Sequence, residues 1–145
     1  MILLDTNVLS EALRPSPSRA VVKWLDQRFP QCAISSITIF ELGSGVALME
    51  AGRRQDAIGT AVARLIRRFG PRVYSFDAAA ADAATHLLVK ARNAGLGLHQ
   101  LPQKLGDLQI AGITSAYGMS LATRNMRDFE GLGLTLIDPW TDLTE

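Results

Sequence analysis

The chain has a single cysteine, Cys32. That excludes an intramolecular disulfide and any zinc site built from several cysteines. Its apolar neighbours Ala33 and Ile34 point to a buried thiol. The two histidines, His86 and His99, have no Cys or His partner at ligand spacing, which argues against zinc of any kind. His86 is expected on a helix surface. No apolar stretch approaches the roughly 20 residues needed to span a bilayer. The N-terminal apolar run has no basic segment before it and is interrupted by Asp5, so it does not read as a signal peptide. A soluble cytoplasmic protein with no membrane partner is expected. Aromatics are scarce, at 6%, and Trp24 and Trp140 are assigned to packing helix and strand ends rather than to stacking on bases. There is no G-x-S-x-G for a serine hydrolase and no G-x-x-x-x-G-K-[ST] phosphate cradle. Gly95-Leu96-Gly97 lacks the third glycine of a dinucleotide fingerprint and does not directly follow a strand.

What is present is an ordinary folded composition. With 145 residues, 48% hydrophobic and 20% charged, the chain is long enough for one domain, residues 1–145, with a substantial core. The formal net charge of +1 carries no strong basic signal. Setting aside the four acids discussed below, ten acids remain against 15 Lys and Arg. That surplus suits an anionic partner, and suits a mixed solvated surface equally well.

Short apolar runs alternate with helical patterns. Strands are predicted at Met1–Leu4, Cys32–Ser35, Val73–Phe76, Met119–Thr123 and Leu134–Asp138. Helices are predicted at Asn7–Leu13, after a Ser18 cap until Pro30, at Thr38–Glu50, at Ala57–Phe69, from an Asp77 cap to about Asn93, and from Asp107 to Gly118. A loop is expected over Gly95–Gly106 and a short helical turn between the last two strands. Strands without polar alternation suit a parallel sheet covered on both faces, an α/β fold. Ligands of such sheets bind outside the carboxyl ends of the strands.

Four acids sit where a strand or loop hands over to a helix: Asp5 in LLDTN, Glu41 in TIFELG, Asp107 in LGDLQ and Asp128 in RNMRDF. If these junctions meet on one sheet edge, the carboxylates form a site for hard divalent ions of the kind used in phosphodiester chemistry. Each has a plainer reading. Asp5 and Asp107 suit helix N-caps, and Thr38-x-x-Glu41 matches a capping box. Asp128 suits a surface turn capped by Asn125. Against the capping box, the apolar flanks Ile39, Phe40 and Leu42 suggest a buried helix start, where a charged Glu needs a partner. Arg124 is weighed equally between an RNA phosphate contact and a salt bridge to Asp128 or Glu130. Arg53, Arg54, Arg67, Arg68 and Arg72 read as solvated helix faces or partner contacts. A phosphotransfer receiver would need a lysine late in the chain, and none follows Lys104.

The segments LLDTNVLSE, SSITIFELGSGV, GDLQIAGITSAYG and LATRNMRDFEGLGLTLIDPW, in this order, resemble the PIN-domain ribonucleases, on the VapC toxin branch close to FitB-like proteins. The resemblance covers nearly the whole chain. It implies a PIN-like α/β fold with a central parallel sheet flanked by helices. It also implies an Mg²⁺- or Mn²⁺-dependent endoribonuclease that is the toxin of a toxin–antitoxin pair. Asp5, Glu41, Asp107 and Asp128 then correspond to the catalytic, metal-binding quartet, with Thr6, Thr123 and Asn125 as polar residues that support the site, and Arg124 lies beside it as the candidate RNA contact. The implied partners are an RNA substrate, a small VapB-like antitoxin whose complex binds operator DNA, and a second copy of the chain in a homodimer. The sequence departs from the family pattern before Asp107, where the stretch from Gly97 to Lys104 is longer and Leu105-Gly106 replaces the usual lead. The competing reading is a PIN scaffold without catalysis that acts through an antitoxin or RNA partner.

Overall fold

The computed structural model describes residues 1–100 and 103–142. Its strands are β1 (Ile2–Leu4), β2 (Cys32–Ser35), β3 (Val73–Tyr74), β4 (Ser120–Ala122) and β5 (Thr135–Ile137). The helices are α1 (Thr6–Ala12), α2 (Arg19–Arg28), α3 (Ser36–Ala47), α4 (Arg53–Phe69), α5 (Ala78–Asn93), α6 (Leu105–Ala116) and the single turn α7 (Met126–Phe129). The strands pair in parallel in the order β3-β2-β1-β4-β5. This is the expected α/β class with a parallel sheet.

Successive residues of a strand point to opposite faces. Leu3, Ala33 and Leu121 therefore pack on one face with Ala84, Leu87, Ile110 and Ile113 of α5 and α6. Ile2, Leu4, Cys32 and Ile34 pack on the other with Val8, Leu9, Val21, Trp24, Val62 and Phe69 of α1, α2 and α4. Two apolar cores explain why these strands lack a polar face. Cys32 is buried, its thiol pushed up to about 11 by burial. His86 is exposed beside Asp82, as expected. Among the described residues, no helix is long and apolar enough to cross a membrane.

The strand order reverses at β1. The chain moves from β1 outward to β2 and β3, then crosses back to place β4 on β1's other side. Leu4 lies opposite Ala122 in the register, so the residues that leave these two strands, Asp5 and Thr123, emerge side by side at the switch point.

Several helix starts differ from the sequence reading. Helix α3 begins at Ser36, because Ser35 captures the Thr38 amide (3.1 Å) as N-cap. The capping box at Thr38 and Glu41 is not formed, and Glu41 lies in the second turn. Phe40 is 75% exposed rather than buried. Ser18 stands at the N-cap of α2 without using its side chain; its amide instead donates to Glu11 (2.8 Å). Asp107 is the third residue of α6, with Lys104 at the N-cap position. Asn125 occupies the N-cap position of α7 but makes no side-chain cap. The expected loop over Gly95–Gly106 contains a 3₁₀ turn at Gly97–His99, and Leu101 and Pro102 lie outside the described residues. Arg72 is not a solvated side chain: its guanidinium donates to the Phe29 and Cys32 carbonyls and lies over the Phe29 and Phe69 rings.

The α5–α6 contact is the tightest helix packing near the site. A Cβ on Gly112 would lie 2.6 Å from the Ala80 carbonyl oxygen and 2.7 Å from the Ala84 Cβ. Backbone on a packed helix cannot yield, so Gly112→Ala is expected to destabilise by about 1–3 kcal/mol through overpacking. Gly45→Ala, in open space on α3, is expected to stabilise by about 0.5–1 kcal/mol. Urea denaturation of both variants checks the contrast.

Candidate active site

Asp5 leaves β1 directly into α1 and is only 3% exposed. Its amide still belongs to the sheet, donating to the Ala122 carbonyl (2.9 Å). Oδ1 accepts the Thr6 amide (2.7 Å), which makes Asp5 the N-cap of α1. Oδ2 accepts the Thr123 hydroxyl (2.7 Å) and the Asn7 side-chain amide (3.1 Å). One oxygen thus caps the helix and the other is held by side chains of α1 and the β4 exit. Thr123 is itself fully buried, and its oxygen accepts the Asn125 amide (3.0 Å). The Arg124 amide donates to the Asn7 side-chain oxygen Oδ1 (3.4 Å). The β4 exit is thus laced to the β1 exit.

Glu41 reaches the same place from α3. Its Oε1 accepts the Thr6 hydroxyl (3.3 Å), while the Thr6 and Thr38 hydroxyl oxygens stand 3.0 Å apart. The carboxylate also rests against the start of α6: a Cβ on Gly106 would meet Oε1 at 3.2 Å. Glycine at 106 leaves room for the carboxylate beside the first turn of a helix, whose unpaired amides favour negative charge.

Asp5, Glu41 and Asp107 line one cleft of about 460 Å³ together with Thr6, Asn7, Ser10, Glu11, Arg14, Arg124, Asn125 and Trp140. Asp128 faces a neighbouring cleft that shares Arg124 and Asn125. It is joined to the first through Lys104, whose Nζ lies 3.2 Å from Asp128 Oδ2 and 4.0 Å from Asp107 Oδ2. Three of the expected acids therefore line one cleft, and the fourth is linked to them through a lysine. Arg124 makes neither of the ion pairs considered for it; its guanidinium lies over the Trp140 ring, 5.1 Å from the centroid. Trp140 is thereby a cleft wall as well as a packing residue. Sequence reasoning missed Lys104, Glu11 and Arg14. Glu11 and Arg14 carry only a weak signal, an acid–base pair at helical spacing.

The charges are uneasy together. Burial, then the Asp5 charge, pushes the Asp107 carboxyl up to about 6, against the pull of Lys104. Burial raises Asp5, opposed by the Thr123 and Thr6 hydrogen bonds and reinforced by Glu41 and Asp128. Glu41 is raised by burial and by Asp107. Glu11 is held low by the Ser18 amide and Arg14. Among the described residues no three acidic, histidine or cysteine side chains close around one point as a ready-made cage. The donors are nonetheless all oxygen, partly dehydrated and mutually repelling. That suits a small hard ion that keeps much of its water and takes only one or two carboxylates directly.

A family model described as the PIN domain matches residues 2–133. The chain belongs to the PIN domain family. It is 42% identical over 142 residues to plasmid stability protein StbB of Pseudomonas syringae pv. tomato, covering 97% of this chain and 99% of that one. It is 35% identical to VapC ribonuclease Y4jK of Sinorhizobium fredii, covering 97% and 98%. It is 32% identical to toxin FitB of Neisseria gonorrhoeae, covering 98% and 100%. A solved FitAB structure bound to an IR36 DNA fragment superimposes with a TM-score of 0.85 at 32% identity, covering 97% and 96%. The PIN scaffold and its VapC-type branch thus agree with the resemblance carried by the four motifs.

The repulsion in the cleft has a testable sign. In its unfolded state Asp107 has an ordinary carboxyl, but in the fold it holds its proton up to about 6. The folded chain therefore binds more protons between those values, and stability falls as pH rises through that window. In EDTA, Asp107→Asn is expected to be more stable than the wild type by about 2 kcal/mol near neutral pH. The advantage fades to nothing by about pH 4. Urea denaturation of both chains at several pH values measures it. A difference that does not change with pH contradicts the assignment.

Proposed function

We propose that this chain, acting as one domain, is a metal-dependent endoribonuclease of the VapC type that hydrolyses RNA phosphodiester bonds. The observation that carries the reading is one cleft at the switch point of the sheet lined by Asp5, Glu41 and Asp107, with Asp5 clamped by Thr123 from the adjoining strand. Asp5, Glu41 and Asp107 would hold the Mg²⁺ or Mn²⁺, and Asp128 would support it from beyond Lys104. When bound, such an ion lowers the pKa of water and offsets charge developing on phosphoryl oxygens.

The residues divide the remaining work. Thr123 and the Thr6 amide fix Asp5 in one orientation, so no reorganisation is needed at the moment of reaction. Thr6 does the same for Glu41. Arg124 and Arg14, on the cleft wall, supply positive charge for RNA phosphates, which position a strand without reading its sequence. Asn125 adds a polar group beside them. With water as nucleophile rather than the ribose 2′-hydroxyl, cleavage leaves 5′-phosphate and 3′-hydroxyl ends.

The toxin setting is supported by the relatives named VapC ribonuclease and toxin FitB and by the FitAB structure bound to DNA. We infer a small cognate antitoxin of VapB type that blocks the activity, an antitoxin complex that binds operator DNA, and a homodimeric toxin.

Chain freed of any copurifying partner and incubated with total cellular RNA and Mg²⁺ or Mn²⁺ is expected to give discrete cuts with 5′-phosphate ends. EDTA abolishes them. Asp5→Asn lowers them on the order of a hundredfold or more, and Thr123→Val, which removes only the hydroxyl that seats Asp5, about 10–100-fold. Products ending in 2′,3′-cyclic phosphate would refute the hydrolytic scheme. A folded chain that cuts no RNA would favour a binding-only scaffold.

A further inference from the structure

Lys104 stands apart from the other basic residues of the cleft. Arg124 and Arg14 line a wall, Arg124 over Trp140 and Arg14 paired with Glu11. The Lys104 ammonium is set between two of the four acids, from two different helices, at 3.2 Å from Asp128 and 4.0 Å from Asp107. Neither Asp5 nor Glu41 has an ion pair among the described residues. The acidic group is therefore divided. One half has its negative charge answered by a side chain, and the other half has it answered only by hydroxyl and amide donors.

A small divalent ion shared by these two carboxylates would have to bind their oxygens at about 2.0–2.1 Å, and the ammonium stands between them, within 3.2 and 4.0 Å of the same oxygens. The two cations exclude each other by volume and by charge. Lys104 is held there by its backbone: it occupies the N-cap position of α6, one turn before Asp107, and the chain arrives through the long connection that follows α5. Its side chain is one-third exposed, so its placement comes from the two carboxylates rather than from apolar packing.

We propose that Lys104 takes the place of a second divalent ion between Asp107 and Asp128. The chain then loads one ion, on the side of Asp5, Glu41 and Asp107. Asp128 acts as a positioning residue for the ammonium and not as a ligand. The inference rests on the metal-dependent reading above and specifies its stoichiometry.

Calorimetric titration of the folded, EDTA-stripped chain with Mn²⁺ tests this without measuring cleavage. The wild type is expected to take one equivalent. Lys104→Met is expected to take a second equivalent, whereas Lys104→Arg, which keeps a cation in place, stays at one. Asp128→Asn is expected to retain the single equivalent, and Asp5→Asn to lose it. Circular dichroism melts confirm that each variant is folded. A wild type that takes two equivalents, or Lys104→Met binding as the wild type does, overturns the role of Lys104 while leaving the metal site standing. Absence of Mn²⁺ binding in the wild type, matched by Asp5→Asn, overturns the metal reading itself and this inference with it.

Discussion

The hydrogen bond between the Thr123 hydroxyl and Asp5 Oδ2 joins the two strands that flank the reversal of the sheet. It is buried, and it acts on a carboxylate that burial alone would push towards neutrality. Without such donors, a charged Asp at a strand end would be costly to bury. With them, the sheet can present a fixed charge at the mouth of its switch point. Glu41 and Asp107 line the same cleft from two other elements, and Asp128 stands in the cleft beside it.

The arrangement sets function against stability. Two apolar cores hold the sheet, while at one edge the fold gathers carboxylates that raise one another's pKa. Structural need does not explain this, because a capped helix requires one acid and not four. Part of the repulsion is answered within the chain by Lys104, and part is left open around Asp5 and Glu41. An unanswered cluster of hard oxygens in an open cleft is the state from which cation binding gains most. Arg124 and Trp140 then give the cleft a positive and flat wall next to its acidic floor, which suits a strand carrying both phosphates and bases.

The fold was largely legible because its signals are local. The apolar runs became strands, Asp77 capped α5 through the Ala80 amide (2.9 Å), and Gly118 closed α6 with a φ of +61°. Asp5 was legible for the same reason, since DTN follows a strand immediately. Glu41 lines the cleft with Asp5, and the capping box weighed as its plainer role is not formed. Ser35, Ser36 and Thr38 all suit a helix start, and only strand β2, by ending at Ser35, decides among them. Lys104 and Arg72 were not legible at all. Their hydrogen-bond partners Asp128, Cys32 and Phe29 lie 24 or more residues away, the nearer contacts of Lys104 with Asp107 and of Arg72 with Phe69 do not fix them alone, and no periodicity in a single sequence reports which way a long cationic side chain turns. The resemblance to PIN domains supplied the grouping of acids that spacing alone left open.

The central claim is that the four acids form a cation-seeking site held on Asp5, and thermal melting tests it most directly. The unfolding midpoint would be followed in EDTA and again in millimolar Mn²⁺, for the wild type and for Asp5→Asn. An ion that binds only the folded chain raises the midpoint. The account predicts such a rise for the wild type and its loss in Asp5→Asn. A midpoint unmoved by Mn²⁺ in the wild type, or moved equally in both chains, would contradict it.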